Sequence, residues 1–184
     1  MIEIATNDQE LLSNDKALYF TINAFCSWIF TPQDLVERPM FYLACPECKK
    51  KMTDQHNGFE CARCNKTYDN AVPTYNFSCK ISDLSSSITV RCLGEVGEAF
   101  VGIPCEAFYS TMKEDLDLIK EQTSKSIMNK LQILLRVKAD RYDGGSQSAE
   151  EGPRLVYSVS KVSPCQLKDE NQELLKRLSI YSKK

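Results

Sequence analysis

Two pairs of cysteines limit what this chain can fold into more than any other feature. Cys45-Pro-Glu-Cys48 is followed, after twelve residues, by Cys61-Ala-Arg-Cys64. A CxxC pair forms a knuckle whose backbone turns both sulfurs toward one point, and two knuckles at this distance bring four thiolates together. Four thiolates give Zn²⁺ a complete tetrahedral shell, so Cys45, Cys48, Cys61 and Cys64 are expected to hold one structural zinc in a ribbon. A redox pair has no use for the second copy. The closed shell leaves no open position for a water, which excludes Lewis-acid hydrolysis at such a site. Asn57-Gly58, between the knuckles, is a tight-turn dipeptide, so the ribbon reads as a short hairpin. Lys49, Lys50, Lys51 and Arg63 lie beside it in sequence. They either balance the formal −2 of four thiolates around Zn²⁺ or also meet phosphate.

The chain has nine cysteines in 184 residues and an acidic amino terminus, MIEIATNDQE, where a secretory signal would be basic and then apolar. An odd count without such a signal argues against a disulfide scaffold. Cys26, Cys79, Cys92, Cys105 and Cys165 stand apart from ligand spacing and are expected to pack in the core. No apolar run reaches the ~18 residues that span a bilayer, and the chain reads as soluble and intracellular. Its formal net charge is −2, so any nucleic-acid surface has to be local. His56 is the only histidine, which leaves little from which to build acid–base or triad chemistry. With no phosphate-cradling glycine loop either, an enzyme is not expected.

From Leu18 to Phe30 every even position is apolar: Leu18, Phe20, Ile22, Ala24, Cys26, Trp28 and Phe30. Strict alternation marks a β-strand with one face in a core. At roughly 3.3 Å per residue it would run about 40 Å, so a bend or bulge is expected to let it serve two sheet faces. Four further strands alternate in the same way: Tyr75–Ile81, Ile88–Cys92, Leu131–Ala139 and Leu155–Val159. Leu84–Ser87 makes a hairpin connection, and Asp140–Pro153, with three glycines, a longer mobile one. Helical pattern covers Glu95–Tyr109, broken by Gly97, Gly102 and Pro104, and then Met112–Gln122. A last helix, Gln166–Ser182, carries Leu167, Leu174, Leu175, Leu178 and Tyr181 as a stripe. Five strands with a helix between the third and fourth is the order of an OB-fold. The expected architecture is mainly β: a five-stranded OB-fold barrel over residues 16–165 with an inserted four-cysteine zinc ribbon at 40–72. A short extension (1–15) precedes it, and a C-terminal assembly helix (166–184) follows.

The combination resembles the C-terminal DNA-binding domain of the replication protein A large subunit. The matching residues are Tyr42-Leu-Ala-Cys45-Pro, Lys50, Asn57-Gly58, the Cys61/Cys64 knuckle, Tyr75-Asn-Phe77, Ile81-Ser-Asp83, Glu98-Ala-Phe-Val-Gly102 and Leu135-Arg-Val-Lys138. They extend over nearly all of Ala17 to Leu178, and the family includes paralogues devoted to telomeres, telomerase or meiotic recombination.

The resemblance implies single-stranded DNA binding without chemistry, in the nucleus, in replication, repair or telomere maintenance. Further domains would lie upstream, and there would be no membrane or small-molecule substrate. Such a groove stacks bases on aromatic faces and holds phosphates with cations. By position Tyr142 matches a stacking aromatic. Lys80, Arg91, Arg136 and Lys138, on the outward faces of strands two, three and four, are the expected phosphate contacts. Relatives carry aromatics on the outward face of the third strand where this chain has Thr89 and Leu93. That predicts weaker binding by the isolated domain, unless Phe25 or Phe59 compensates. The final helix is implied to bundle with helices of two smaller OB-fold subunits in a heterotrimer. The alternative is an assembly module of a telomere- or telomerase-associated complex, with little DNA contact of its own.

Overall fold

The computed structural model describes residues 16–29, 39–140, 154–165 and 175. Nine strands and three helices follow in chain order among them. The strands are β1 (Leu18–Trp28), β2 (Phe41–Ala44), β3 (Thr53–Gln55), β4 (Gly58–Cys61), β5 (Lys66–Tyr68), β6 (Val72–Ser82), β7 (Ser87–Leu93), β8 (Lys130–Asp140) and β9 (Arg154–Pro164). Between β7 and β8 lie α1 (Glu95–Val101), α2 (Cys105–Glu114) and α3 (Leu116–Lys125).

Five strands close into a ring. β1 pairs with β8 from Leu18 to Phe25, then turns to pair with β6 from Phe25 to Trp28. β6 pairs antiparallel with β7, and β8 with β9, while a parallel contact of β7 with β9 at Arg91 and Ser158 completes the circuit. This is the strand order of an OB-fold barrel. β2 adds to the free length of β6, and β3–β5 form a separate small sheet.

Alternation sends one face of each barrel strand inward. Ile22, Ala24 and Cys26 meet Phe77, Cys79 and Ile81, Val90 and Cys92, and Ile133, Leu135 and Val137 in one buried core. Cys26, Cys79 and Cys92 are buried there, with the Cys79 and Cys92 sulfurs 3.9 Å apart. Cys105, the first residue of α2, is buried in the same core.

Two bulges change what the alternation implied. In β1, Cys26 lies opposite Ile81 but Trp28 lies opposite Lys80, so Ser27 is an extra residue. An extra residue reverses the phase of everything after it. Trp28, expected in the core, is therefore 43% exposed, and Ile29 is the buried residue at 5%. In β9 the register slips at Ser160, which is why the alternation ends near Val159 although the strand continues to Pro164. The β6–β7 hairpin turns where expected: the Asp83 carboxylate accepts from the amides of Ser85 (2.7 Å) and Ser86 (3.0 Å).

The helical segment also differs at one glycine. Gly97 does not break a helix but lies inside α1, where a Cβ would fall onto Tyr75 Cβ and 2.9 Å from its Cγ. Its lack of a side chain is what lets α1 approach β6. Gly102 does end the helix, at φ 85° with its amide donating to Glu98 O. Asp115 separates α2 from α3 and caps the latter, accepting from the amides of Asp117 and Leu118. Tyr75 is fully buried, edge-on to Phe77 (5.8 Å) and Phe108 (5.5 Å), contacts of about 0.5–1.5 kcal/mol each beyond burial. Tyr142 and the terminal residues Leu167, Leu174, Leu178 and Tyr181 lie outside the described residues, as do Phe30 and residues 141–153. Leu175 is exposed.

Candidate metal centre and nucleic-acid face

The two cysteine knuckles are built alike. The fifth residue of each, Lys49 and Asn65, takes a left-handed conformation (φ 59° and 52°). Each donates its amide to the carbonyl of the first cysteine, Lys49 to Cys45 at 2.9 Å and Asn65 to Cys61 at 2.8 Å. Asparagine tolerates this region well; lysine is an uncommon choice there. The Cys45 amide donates to Lys50 O, and the Met52 amide to Leu43 O, which ties the first knuckle to β2 and so to the barrel.

The second knuckle follows β4. The hairpin before it turns one residue earlier than the Asn57-Gly58 dipeptide suggested: Gln55 pairs with Gly58, leaving His56 and Asn57 as the loop. Gly58 has φ 126°, and a Cβ there would lie 2.8 Å from Tyr68 O. A third strand, β5, extends the expected hairpin to a three-stranded sheet.

The four cysteine sulfurs lie within 4.8 Å of one another, with Cys45 Sγ 3.9 Å from Cys64 Sγ and Cys48 Sγ 3.5 Å from Cys61 Sγ. A tetrahedral tetrathiolate with metal–sulfur bonds of about 2.3 Å has edges of roughly 3.8 Å. The cluster therefore fits a metal ion of that size. Its electrostatics point the same way. Burial would push the Cys45 thiol up, but the amides of Cys48 and Glu47 hold it down at about 6. Cys64 is pushed up to about 12 by its hydrogen bond with Cys48 and then by burial. Thiols this crowded cannot all ionise without a cation between them, and a cation removes the conflict.

Beneath the cluster is a second, small apolar core: Cys45, Met52 and Cys61, with Phe59, Tyr68 and Ala71 packed against it. Phe59 is thereby a packing residue of the ribbon.

On the barrel's outer surface, cross-strand register brings the expected cations into rows. Tyr19 of β1 faces Arg136 of β8, Arg136 faces Ser158 of β9, Ser158 faces Arg91 of β7, and Arg91 faces Ser78 of β6. Arg91 and Arg136, distant in sequence, are thus two strands apart, roughly 10 Å between backbones. Arg91 Nε donates to Asn76 Oδ1 at 3.0 Å, which orients the guanidinium along the sheet. The neighbouring row runs from Trp28 to Lys80 to Thr89. Lys80, Arg91 and Lys138 are exposed and Arg136 half-buried; Thr89 and Leu93 are exposed on β7. Phe25 is half-buried at the point where β1 passes from β8 to β6.

Alternation alone could not find Trp28 as a surface aromatic. The one signal was the strand's excessive length, which required a bulge without locating it.

Comparison with known proteins agrees with this geometry. Residues 19–174 match the family described as the replication factor-A C terminal domain. The chain is 28% identical over 142 residues to the replication protein A 70 kDa DNA-binding subunit of Tetrahymena thermophila, covering 68% of this chain and 21% of that protein. It is 29% identical over 147 residues to the replication factor A 51 kDa subunit of Crithidia fasciculata, covering 77% of this chain and 30% of that one. With the mouse 70 kDa subunit it shares 26% identity over 170 residues, 91% of this chain and 25% of that protein. It therefore spans less than a third of the length of these relatives. Among solved structures it is similar to a replication protein A heterotrimer bound to ssDNA (TM-score 0.77, 19% identity, 92% of this chain and 37% of that one). It is also similar to yeast RPA bound to ssDNA (TM-score 0.74, 20% identity, 98% and 94%).

Proposed function

Because the chain belongs to the replication factor-A C-terminal domain family, we propose that it binds single-stranded DNA across the outer barrel face. That face runs from Trp28 and Lys80 to Arg91, Arg136 and Lys138. The observation that carries this reading is the register that aligns Arg91, Ser158 and Arg136 beside the Trp28–Lys80 pair. Cations at this separation suit successive phosphates, and an exposed indole suits a base, since every base has a face to stack. Trp28 takes the place of the aromatics missing at Thr89 and Leu93, and Tyr142 is a second candidate for stacking. The domain works in the nucleus as one part of a longer DNA-binding subunit.

Cys45, Cys48, Cys61 and Cys64 hold one Zn²⁺. When bound, it supplies four metal–sulfur bonds that cross-link the knuckles and no reaction chemistry. The chain's own residues do the rest: the Met52–Leu43 hydrogen bond fixes the ribbon to β2, and Lys50, Lys51 and Arg63 extend the cationic surface beyond the barrel. The terminal segment with Leu167, Leu174, Leu175, Leu178 and Tyr181 docks on two smaller OB-fold subunits, a role that replacing Leu174 and Leu178 with aspartate would abolish.

The decisive experiment is an anisotropy titration of the zinc-loaded chain against labelled oligo-dT, a G-rich telomeric repeat and a duplex, each at two salt concentrations. Salt-sensitive binding to single strands over duplex supports the reading, and preference for the repeat assigns a telomeric role. Absence of binding to all three overturns it in favour of an assembly module.

A further inference from the structure

We propose that Tyr68 is a positioning residue of the metal centre, its hydroxyl donating a hydrogen bond to a metal-bound thiolate of Cys45 or Cys64 and so slowing loss of the metal. The inference rests on the proposed occupancy of the four cysteines by Zn²⁺.

Tyr68 ends β5 directly opposite Phe59, two residues beyond the pairing of Lys66 with Cys61. Residues paired across a ladder project to the same side, so Tyr68 shares a face of the small sheet with Phe59 and Cys61. Its ring packs on the core formed by Cys45, Met52 and Cys61. The hydroxyl is closed off from solvent without a completed hydrogen bond, and its polar neighbours are the sulfurs of Cys45 and Cys64 and the side chain of Glu47. Glu47 is turned instead toward Lys66, in an exposed ion pair of 3.4 Å.

A buried hydroxyl without a partner is uncommon and calls for an explanation. A neutral thiol is a weak acceptor, whereas a thiolate carries charge and accepts well. Metal binding holds all four sulfurs as thiolates at once, so the loaded site offers the Tyr68 hydroxyl a charged acceptor. Partners of this kind, which hold the ligands of a metal without touching it, typically govern its affinity by 10–100-fold.

The test uses the full chain and the Tyr68→Phe variant, which keeps the ring and its packing. Zinc affinity is read by competition with a chromophoric chelator, and both proteins are also loaded with Co²⁺ to record the sulfur-to-cobalt charge-transfer band. Tyr68→Phe is expected to bind zinc about 10-fold or more weakly and to shift the cobalt band to lower energy, because an unbonded thiolate lone pair lies higher. Phe59→Leu, which disturbs the same core without removing a hydroxyl, should leave the band where it is. Equal affinity and an unmoved band in Tyr68→Phe overturn the role of the hydroxyl, as does an equal shift in Phe59→Leu. A wild-type chain that takes up neither metal overturns the ribbon reading itself, an outcome visible before any variant is compared.

Discussion

Trp28 lies directly across the sheet from Lys80, and it is there because Ser27 is an extra residue in β1. The Ser27 hydroxyl donates to Lys80 O at 3.2 Å and accepts from Ser82 Oγ at 2.7 Å, so the bulge is pinned by side-chain hydrogen bonds to β6. An aromatic face and an ammonium are thereby presented side by side, the pairing that single-stranded nucleic acid requires.

Trp28 is the chain's one tryptophan, so its emission reports on this position alone. Titration with unlabelled oligo-dT is expected to quench it as a base stacks on the indole. Trp28→Ala should weaken binding by roughly 1–3 kcal/mol, about 5- to 150-fold, with an unchanged circular dichroism spectrum. Unquenched emission at saturating DNA would place the bases elsewhere.

Arg91 and Arg136 should act through phosphates. Affinity for a single strand falls with salt at a logarithmic slope of about 0.7 per phosphate neutralised. Replacing either arginine by alanine is expected to flatten the slope by about that amount, and replacing both by about twice as much. Anisotropy titrations at four or five salt concentrations measure this directly; a slope unchanged in the double variant removes both residues from the interface.

The contact between Gly97 and Tyr75 makes a prediction about stability. Alanine normally favours a helix over glycine by about 1 kcal/mol, but here its Cβ would meet a ring held by Phe77 and Phe108. Overpacking costs about 1–3 kcal/mol, so Gly97→Ala is expected to be a net destabilisation, read as a lower urea midpoint. A raised midpoint would mean that α1 can move away from β6.

The cysteines should separate into three classes toward iodoacetamide. Cys26, Cys79, Cys92 and Cys105 are buried, and burial first, with Glu98 second, raises the Cys105 thiol to about 12. Only thiolate reacts, so Cys105 should stay unmodified near pH 8 and gain reactivity only as pH climbs toward that value. Half-buried Cys165 is expected to react first, and Cys45, Cys48, Cys61 and Cys64 only after chelation. Peptide mass mapping before and after chelation distinguishes the classes. Modification of the ribbon cysteines without chelation would count against a bound metal.

Local spacing carried most of this protein in legible form. The sulfurs of Cys45, Cys48, Cys61 and Cys64 converge because a CxxC knuckle is a turn of fixed geometry, and the barrel strands follow from a side-chain period of two. The barrel itself could be inferred from the order of strands and helices. Reading failed where that period is interrupted. The bulge at Ser27 reversed Trp28 and Ile29, and the one at Ser160 hid the end of β9, because a single extra residue leaves no mark in composition. The sequence by itself determined which residues could bind metal and which strands could form. Only the tertiary structure decided that Arg91 and Arg136 share a row, that Gly97 must be bare to clear Tyr75, and that the Tyr68 hydroxyl ends beside two sulfurs. Each of these depends on register or close approach between distant segments, and neither is encoded in the periodicity of one strand.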